Sequence, residues 1–198
     1  MEAAERLRAA GESALAHFLR KRANCAEAVF LAVHEQIQSD LPASAAALAT
    51  PFGGGVGIRG ENCGALLGGM MGLGLVYGRA NPEEGSLQGH RERLWESYAL
   101  FNQLPHRFQL RFGTVQCWDL TEPHVYGTSA CRARCEGIVA GTASVAMELL
   151  LEAQQNGLGF AFNKNLLSQA SEATGLSTRE LVQLKTLGRP FPPPEGRD

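Results

Sequence analysis

The chain has no hydrophobic run of membrane length. Its longest apolar stretch, Leu66 to Val76, falls well short of the roughly 20 residues that a spanning helix needs. It has no surplus of either charge: 18 Lys and Arg stand against 20 Asp and Glu, a formal net charge of −2 over 198 residues. Binding to phosphate backbones requires clustered basic side chains, and nothing of that kind occurs beyond the short run Arg20-Lys21-Arg22, which reads as a solvated face. The balance argues against a nucleic-acid partner and against membrane insertion. Met1 to Arg22 lacks the basic-then-apolar layout of a secretory signal, so a cytoplasmic location is expected. Thiols in that compartment are kept reduced, and five cysteines there point to metal binding or catalysis in preference to a disulfide framework. No internal repeat and no Cys-x-x-Cys-His sequence is present, which excludes a solenoid and a covalently attached haem.

The apolar spacing that is present is helical almost throughout. Ala3, Leu7, Ala10, Ala14, Phe18 and Leu19 recur at three and four residues and predict a helix over Glu2 to Arg22. A second helix starts after Asn24, a favourable N-cap, and runs toward Ile37, with Cys25 in its first turn. There the helix dipole is expected to depress the thiol pKa. A short Ala-rich helix over Pro42 to Ala49 precedes the irregular Thr50-Pro51-Phe52-Gly53-Gly54-Gly55. Cys63 to Tyr77 reads as the most buried helix, with Gly64, Gly68 and Gly72 leaving one face bare for close packing in the core or across a homodimer contact. Leu87 to Phe112 is a long helix with an aromatic face, and Pro105 is where it would kink or split. Thr114 to Leu120 reads as short and extended without forming a sheet. Arg134 to Gln155 is a further core helix with Cys135 near its start. Two shorter helices, Asn163 to Ala173 and Ser177 to Leu187, and a Pro-rich tail from Arg189 to Asp198 complete the pattern. The expected architecture is an all-α, single-domain helical bundle. Residues 1–155 form its cysteine-containing domain and 156–198 an accessory extension without Cys or His.

Gly55-Val56-Gly57-Ile58-Arg59-Gly60 matches the dinucleotide fingerprint G-x-G-x-x-G to the letter. It follows no strand and sits in no βαβ unit, so a backbone wall is the better reading. His17, His34, His90, His106 and His124 show no ligand spacing and read as surface or partly buried residues, with His124 alone placed to stand in as a ligand.

The cysteines carry more. Asn24-Cys25-Ala26-Glu27-Ala28-Val29, Phe52-Gly53-Gly54-Gly55 and Gly60-x-x-Cys63-Gly64-Ala65-x-x-Gly68, followed by Cys117 and by Cys135-x3-Val139-x3-Ala143, resemble the bacterial and archaeal family of redox-active proteins named for its C_GCAxxG_C_C pattern. The resemblance spans about Ala14 to Ala153 and is most specific between Cys25 and Gly68. It implies an all-helical fold and four redox-active cysteines, here Cys25, Cys63, Cys117 and Cys135. Through the similar non-haem part of split-Soret cytochrome c, it also implies an iron–sulfur centre for electron transfer. Cys131 is extra to the pattern and leaves the fourth ligand open, because Cys131 and Cys135 would face the same way on a helix.

Three chemistries suit such a set. Four thiolates can hold an iron–sulfur cluster. Two can cycle as dithiol and disulfide, with Cys25 and Cys63 as the catalytic pair. A four-thiolate zinc site is the third, although only Cys131-x3-Cys135 has knuckle-like spacing. Alongside these redox readings stands a non-catalytic module that binds metal, sulfur species or a partner protein. A single buried cysteine is often a small hydrophobe, and Cys131 fits that description best of the five.

Overall fold

Amphipathic spacing produces helices where the chain also supplies caps. In the computed structural model, which describes residues 2–20, 22–37, 39–83, 87–163 and 165–186, the helices are α1 (Ala3–Leu19), α2 (Cys25–Ile37), α3 (Gly64–Tyr77), α4 (Leu87–Phe112), α5 (Cys117–Thr121), α6 (Ser129–Asn156), α7 (Leu166–Thr174) and α8 (Thr178–Thr186). Two 3-10 segments, Ala43–Leu48 and Thr50–Phe52, lie between α2 and α3. The fold is all-α: among the described residues the only β feature is an isolated antiparallel bridge between Asn62 and Gln116. None of the described helices is long and apolar enough to cross a membrane. The chain divides into two compact units, Met1–Ala161 and Phe162–Asp198.

Within the first unit α6 is the central element, packing against α1, α2, α3, α4 and α5. Its face of Val139, Ala143, Ala146, Met147, Leu149 and Leu150 is fully buried, as are Leu73 on α3 and Leu100 and Leu104 on α4. Each large aliphatic side chain so buried contributes roughly 1.5–3 kcal/mol. α4 runs through Pro105 as one helix because the packing of Leu104 and Phe108 on either side offsets the missing hydrogen bond. A forked ion pair ties α4 to α6, with Arg107 Nη1 and Nη2 donating to Glu152 Oε1 and Oε2 at 2.7 and 2.6 Å.

The bare face of α3 lies on α2. A methyl group on Gly68 would fall on the Ala26 carbonyl oxygen and within 3.0 Å of that residue's backbone carbons, and one on Gly72 would meet Val33 at 2.7 Å. The glycine stripe therefore brings two backbones together inside the core, and this contact brings the start of α2 to the start of α3.

Some local expectations need correction. Thr114 to Leu120 is extended only as far as Gln116, since α5 starts at Cys117. α6 begins at Ser129, five residues before the expected start at Arg134, because Thr128 caps it by accepting from the Cys131 N–H at 3.3 Å. His17 is a core residue, 5% exposed, with Nε2 2.8 Å from Glu35 Oε1. In the second unit α7 and α8 pack on each other, and the Ser177–Glu180 capping box closes with a 2.8 Å bond from the Ser177 N–H to Glu180 Oε2 and a 3.3 Å bond from the Glu180 N–H back to Ser177 Oγ. The Pro-rich tail from Arg189 lies outside the described residues.

Candidate functional site

Each cysteine is placed by a local device. Asn24 caps α2 by accepting from the N–H groups of Ala26 and Glu27 at 2.9 and 3.0 Å, while Glu27 Oε2 accepts from the Asn24 N–H at 2.9 Å. This reciprocal box sets Cys25 at the first helical position. Cys63 is the N-cap residue of α3. Gly64 follows it because a side chain there would strike Cys25 Sγ at 2.6 Å and the Phe52 carbonyl oxygen at 2.5 Å. The sulfur of Cys25 thus rests on the first turn of α3, beside Cys63.

Cys117 arrives from far along the chain. Residues 60–63 pair with 115–118 around the Asn62–Gln116 bridge: the Cys63 N–H donates to Val115 O at 2.8 Å, the Cys117 N–H to Glu61 O at 2.7 Å and the Trp118 N–H to Gly60 O at 2.9 Å. The glycine-rich loop makes room for it, since a methyl on Gly55 would stand 2.6 Å from Cys117 Cβ. Gly54, Gly55, Val56, Gly57 and Ile58 all have φ between 62° and 69°, five consecutive residues in the left-handed region. For the β-branched Val56 and Ile58, 42% and 66% exposed, that conformation is costly, and such strain persists only where the surroundings hold it. Here it is held by the pairing of Gly60 and Glu61 back to Gly54 and Gly55, at 3.1 Å each, and the coil walls the thiols.

The result is a cavity of about 280 Å³ lined by all five cysteines, with Phe18, Ala65, Leu120, Ile138 and Val139 as its apolar walls. Cys131 and Cys135, one turn apart on α6, are two of these lining residues. Cys63, Cys117 and Cys131 are buried, and Cys25 and Cys135 are partly buried. Tyr126 lines the cavity and is 53% exposed at the surface. Its hydroxyl lies where a methyl on Gly54 would meet it at 2.9 Å, and it feels the charges of Cys25, Cys117, Cys131 and Cys135. Arg132 also lines the cavity, its guanidinium 4.3 Å above the Phe18 ring and donating to the Phe18 carbonyl. His124 is exposed and does not line the cavity. Sequence reasoning missed Tyr126, which sits in a turn-rich connector with no periodic signal, and it read Cys131 as the cysteine most like core filler.

Burial reverses the expected acidity of Cys25. Its thiol is raised above the ordinary value by desolvation, and the N–H groups of Gly54, Ala26 and Ala65 only moderate the effect. The helix start is present, but the dipole acts on a sulfur removed from water. Cys63 is pushed up further by burial and then by Cys25. Burial, then Cys25 and Cys131, push Cys117 up to about 11, and burial with Cys131 pushes Cys135 up to about 12. Free thiols titrate near 8.5, so between that value and about 11 the folded state binds more protons than the unfolded chain and stability falls as pH rises. In reduced, metal-free protein, iodoacetamide should therefore modify Cys25, Cys63, Cys117 and Cys135 more slowly than in the denatured chain at pH 8. The rate at Cys117 should keep climbing to about pH 11. A plateau reached by pH 9 would show that these thiols are solvated.

Among the described residues, no group of three or more His, Cys, Asp or Glu side chains is drawn tightly enough to hold a metal ion. An iron–sulfur cluster asks for a wider arrangement, because each thiolate binds a different iron and the core fills the space between them. The donor set fits that group: soft sulfur ligands from separate segments, backbone N–H groups that favour a thiolate at Cys25, apolar walls, and a cavity of several water volumes.

A family model described as "Putative redox-active protein (C_GCAxxG_C_C)" matches residues 23–149, a span that holds all five cysteines. No curated protein and no solved structure matches the chain.

Proposed function

Because this chain belongs to the C_GCAxxG_C_C family of redox-active proteins, we propose that its cysteine cavity is an electron-transfer site holding an iron–sulfur cluster on Cys25, Cys63, Cys117 and Cys135. The observation that carries this reading is the convergence of thiols from separate segments on one cavity, where burial and mutual repulsion keep them protonated. Buried thiols with raised pKa values are slow nucleophiles, which disfavours thiol exchange as their main task. They suit a cationic metal core that displaces their protons and cancels their repulsion. When bound, such a cluster would accept and release single electrons.

The chain's own residues then have definite tasks. The N–H groups of Gly54 and Ala65 act on the Cys25 thiol to lower its pKa and so favour the more negatively charged state of the site. Phe18, Leu120, Ile138 and Val139 exclude water. Residues 1–155 carry the chemistry in this reading, and 156–198, which offer no Cys or His, are accessory.

The test is purification without oxygen followed by iron and acid-labile sulfide analysis. Brown protein with several iron and sulfide per chain is expected. Colourless protein with two rapidly titrating thiols, made unreactive by Cys25→Ser or Cys63→Ser, would replace the cluster reading with dithiol–disulfide exchange.

A further inference from the structure

The fifth cysteine has no place in a four-cysteine pattern, yet the structure does not leave it in the core. Cys131 is 3% exposed, lines the same cavity as the other four and stands one helical turn before Cys135. Residues four apart on a helix share a face, with Cβ atoms about 5–6 Å apart, so modest side-chain rotation brings either sulfur toward the same point. Cys131 is the side chain that acts most strongly on the Cys135 thiol. Cys131 is also near Cys117: the charges acting on Cys117 come from Cys25 and Cys131. Cys131 thus shares the cavity with two residues assigned as ligands and acts on both.

Resting on the cluster reading above, we propose that Cys131 is a working thiol of the site, and that α6 presents Cys131 and Cys135 as interchangeable thiolates for the ligand position on that side of the cavity. One of the two binds a thiophilic metal and the other stays beside it as a free thiol. Exchange between them moves one proton from the incoming thiol to the outgoing thiolate and changes neither the net charge nor the electron count of the site. The N-cap bond from the Cys131 N–H to Thr128 Oγ1 fixes the backbone of this turn, so the choice rests on side-chain rotation alone.

Cys131→Ser, Cys135→Ser and the double variant, each reconstituted with iron and sulfide without oxygen, test this. Each single variant should keep at least half of the wild-type iron and sulfide, with electron paramagnetic resonance spectra that differ from each other. The double variant should lose about tenfold. Any result in which one single variant falls as far as the double, or in which the double keeps its cluster, overturns the proposal. A wild-type chain that takes up no iron and sulfide would sink the cluster reading but leave this question open to a second probe. In that case cadmium(II) is titrated into the reduced protein and followed by thiolate-to-metal absorption. Interchange then requires near-wild-type cadmium binding in both single variants and weakening of about tenfold in the double, and a Cys135→Ser chain that binds as weakly as the double refutes it.

Discussion

Gly68→Leu is expected to lower the melting temperature of the protein by about 6 °C or more and, on the cluster reading proposed above, to abolish cofactor binding in the cavity. Even a single methyl at this position would fall on the carbonyl oxygen of Ala26 and within 3.0 Å of two further backbone atoms, and backbone inside a packed helix pair cannot rotate aside. Overpacking commonly costs 1–3 kcal/mol, and a leucine placed against backbone belongs at or above the upper end of that range. At roughly 2–4 °C per kcal/mol for a chain of this size, the loss should be easy to read by calorimetry. The damage should reach the chemistry because the same contact holds the start of α2 against the start of α3, where Cys25 and Cys63 stand. Gly74 on the same helix supplies the control. A methyl there meets nothing within 4 Å, so Gly74→Ala should raise stability by up to about 1 kcal/mol, the usual gain of alanine over glycine in a helix. If both variants melt with the wild type, the glycine face does not pack as described.

On the proposed cluster reading, Cys63→Ser should reduce bound iron and sulfide at least tenfold while leaving the metal-free fold within about 1 kcal/mol of wild type. Cys63 is the N-cap residue of α3 and its side chain makes no cap hydrogen bond. Serine is among the best N-cap residues, so the substitution removes the soft sulfur ligand from a position where a hydroxyl is welcome. The backbone bond from the Cys63 N–H to Val115 O is untouched, and with it the pairing that carries Cys117. Loss of cofactor without loss of melting temperature would separate ligation from folding. A Cys63→Ser chain with wild-type iron and sulfide would remove Cys63 from the ligand set.

Much of the fold was legible in the residues because it depends on local rules. Asn24 and Glu27, and later Ser177 and Glu180, start helices through side chains three residues apart, and three-and-four spacing of apolar residues marks the rest. The four-residue glycine spacing on α3 announced a close backbone contact, though not which helix would fill it. The candidate site was legible in part, since Cys25 and Cys63 sit in contexts readable over a few dozen residues.

What the sequence by itself determined is the all-α fold, the helix starts that carry Cys25 and Cys63, the bare face of α3 and membership of a redox-active family. Only the tertiary structure decided three further things. The antiparallel pairing of 60–63 with 115–118 brings Cys117 to the thiols, and a contact across more than 50 residues leaves no periodic trace in either segment. The packing of α6 turns Cys131 into the cavity and not merely into the core. The acidity of Cys25 reversed for the same reason: a helix dipole can be read from position in the chain, whereas desolvation depends on the neighbours that folding collects, and here burial outweighs the dipole.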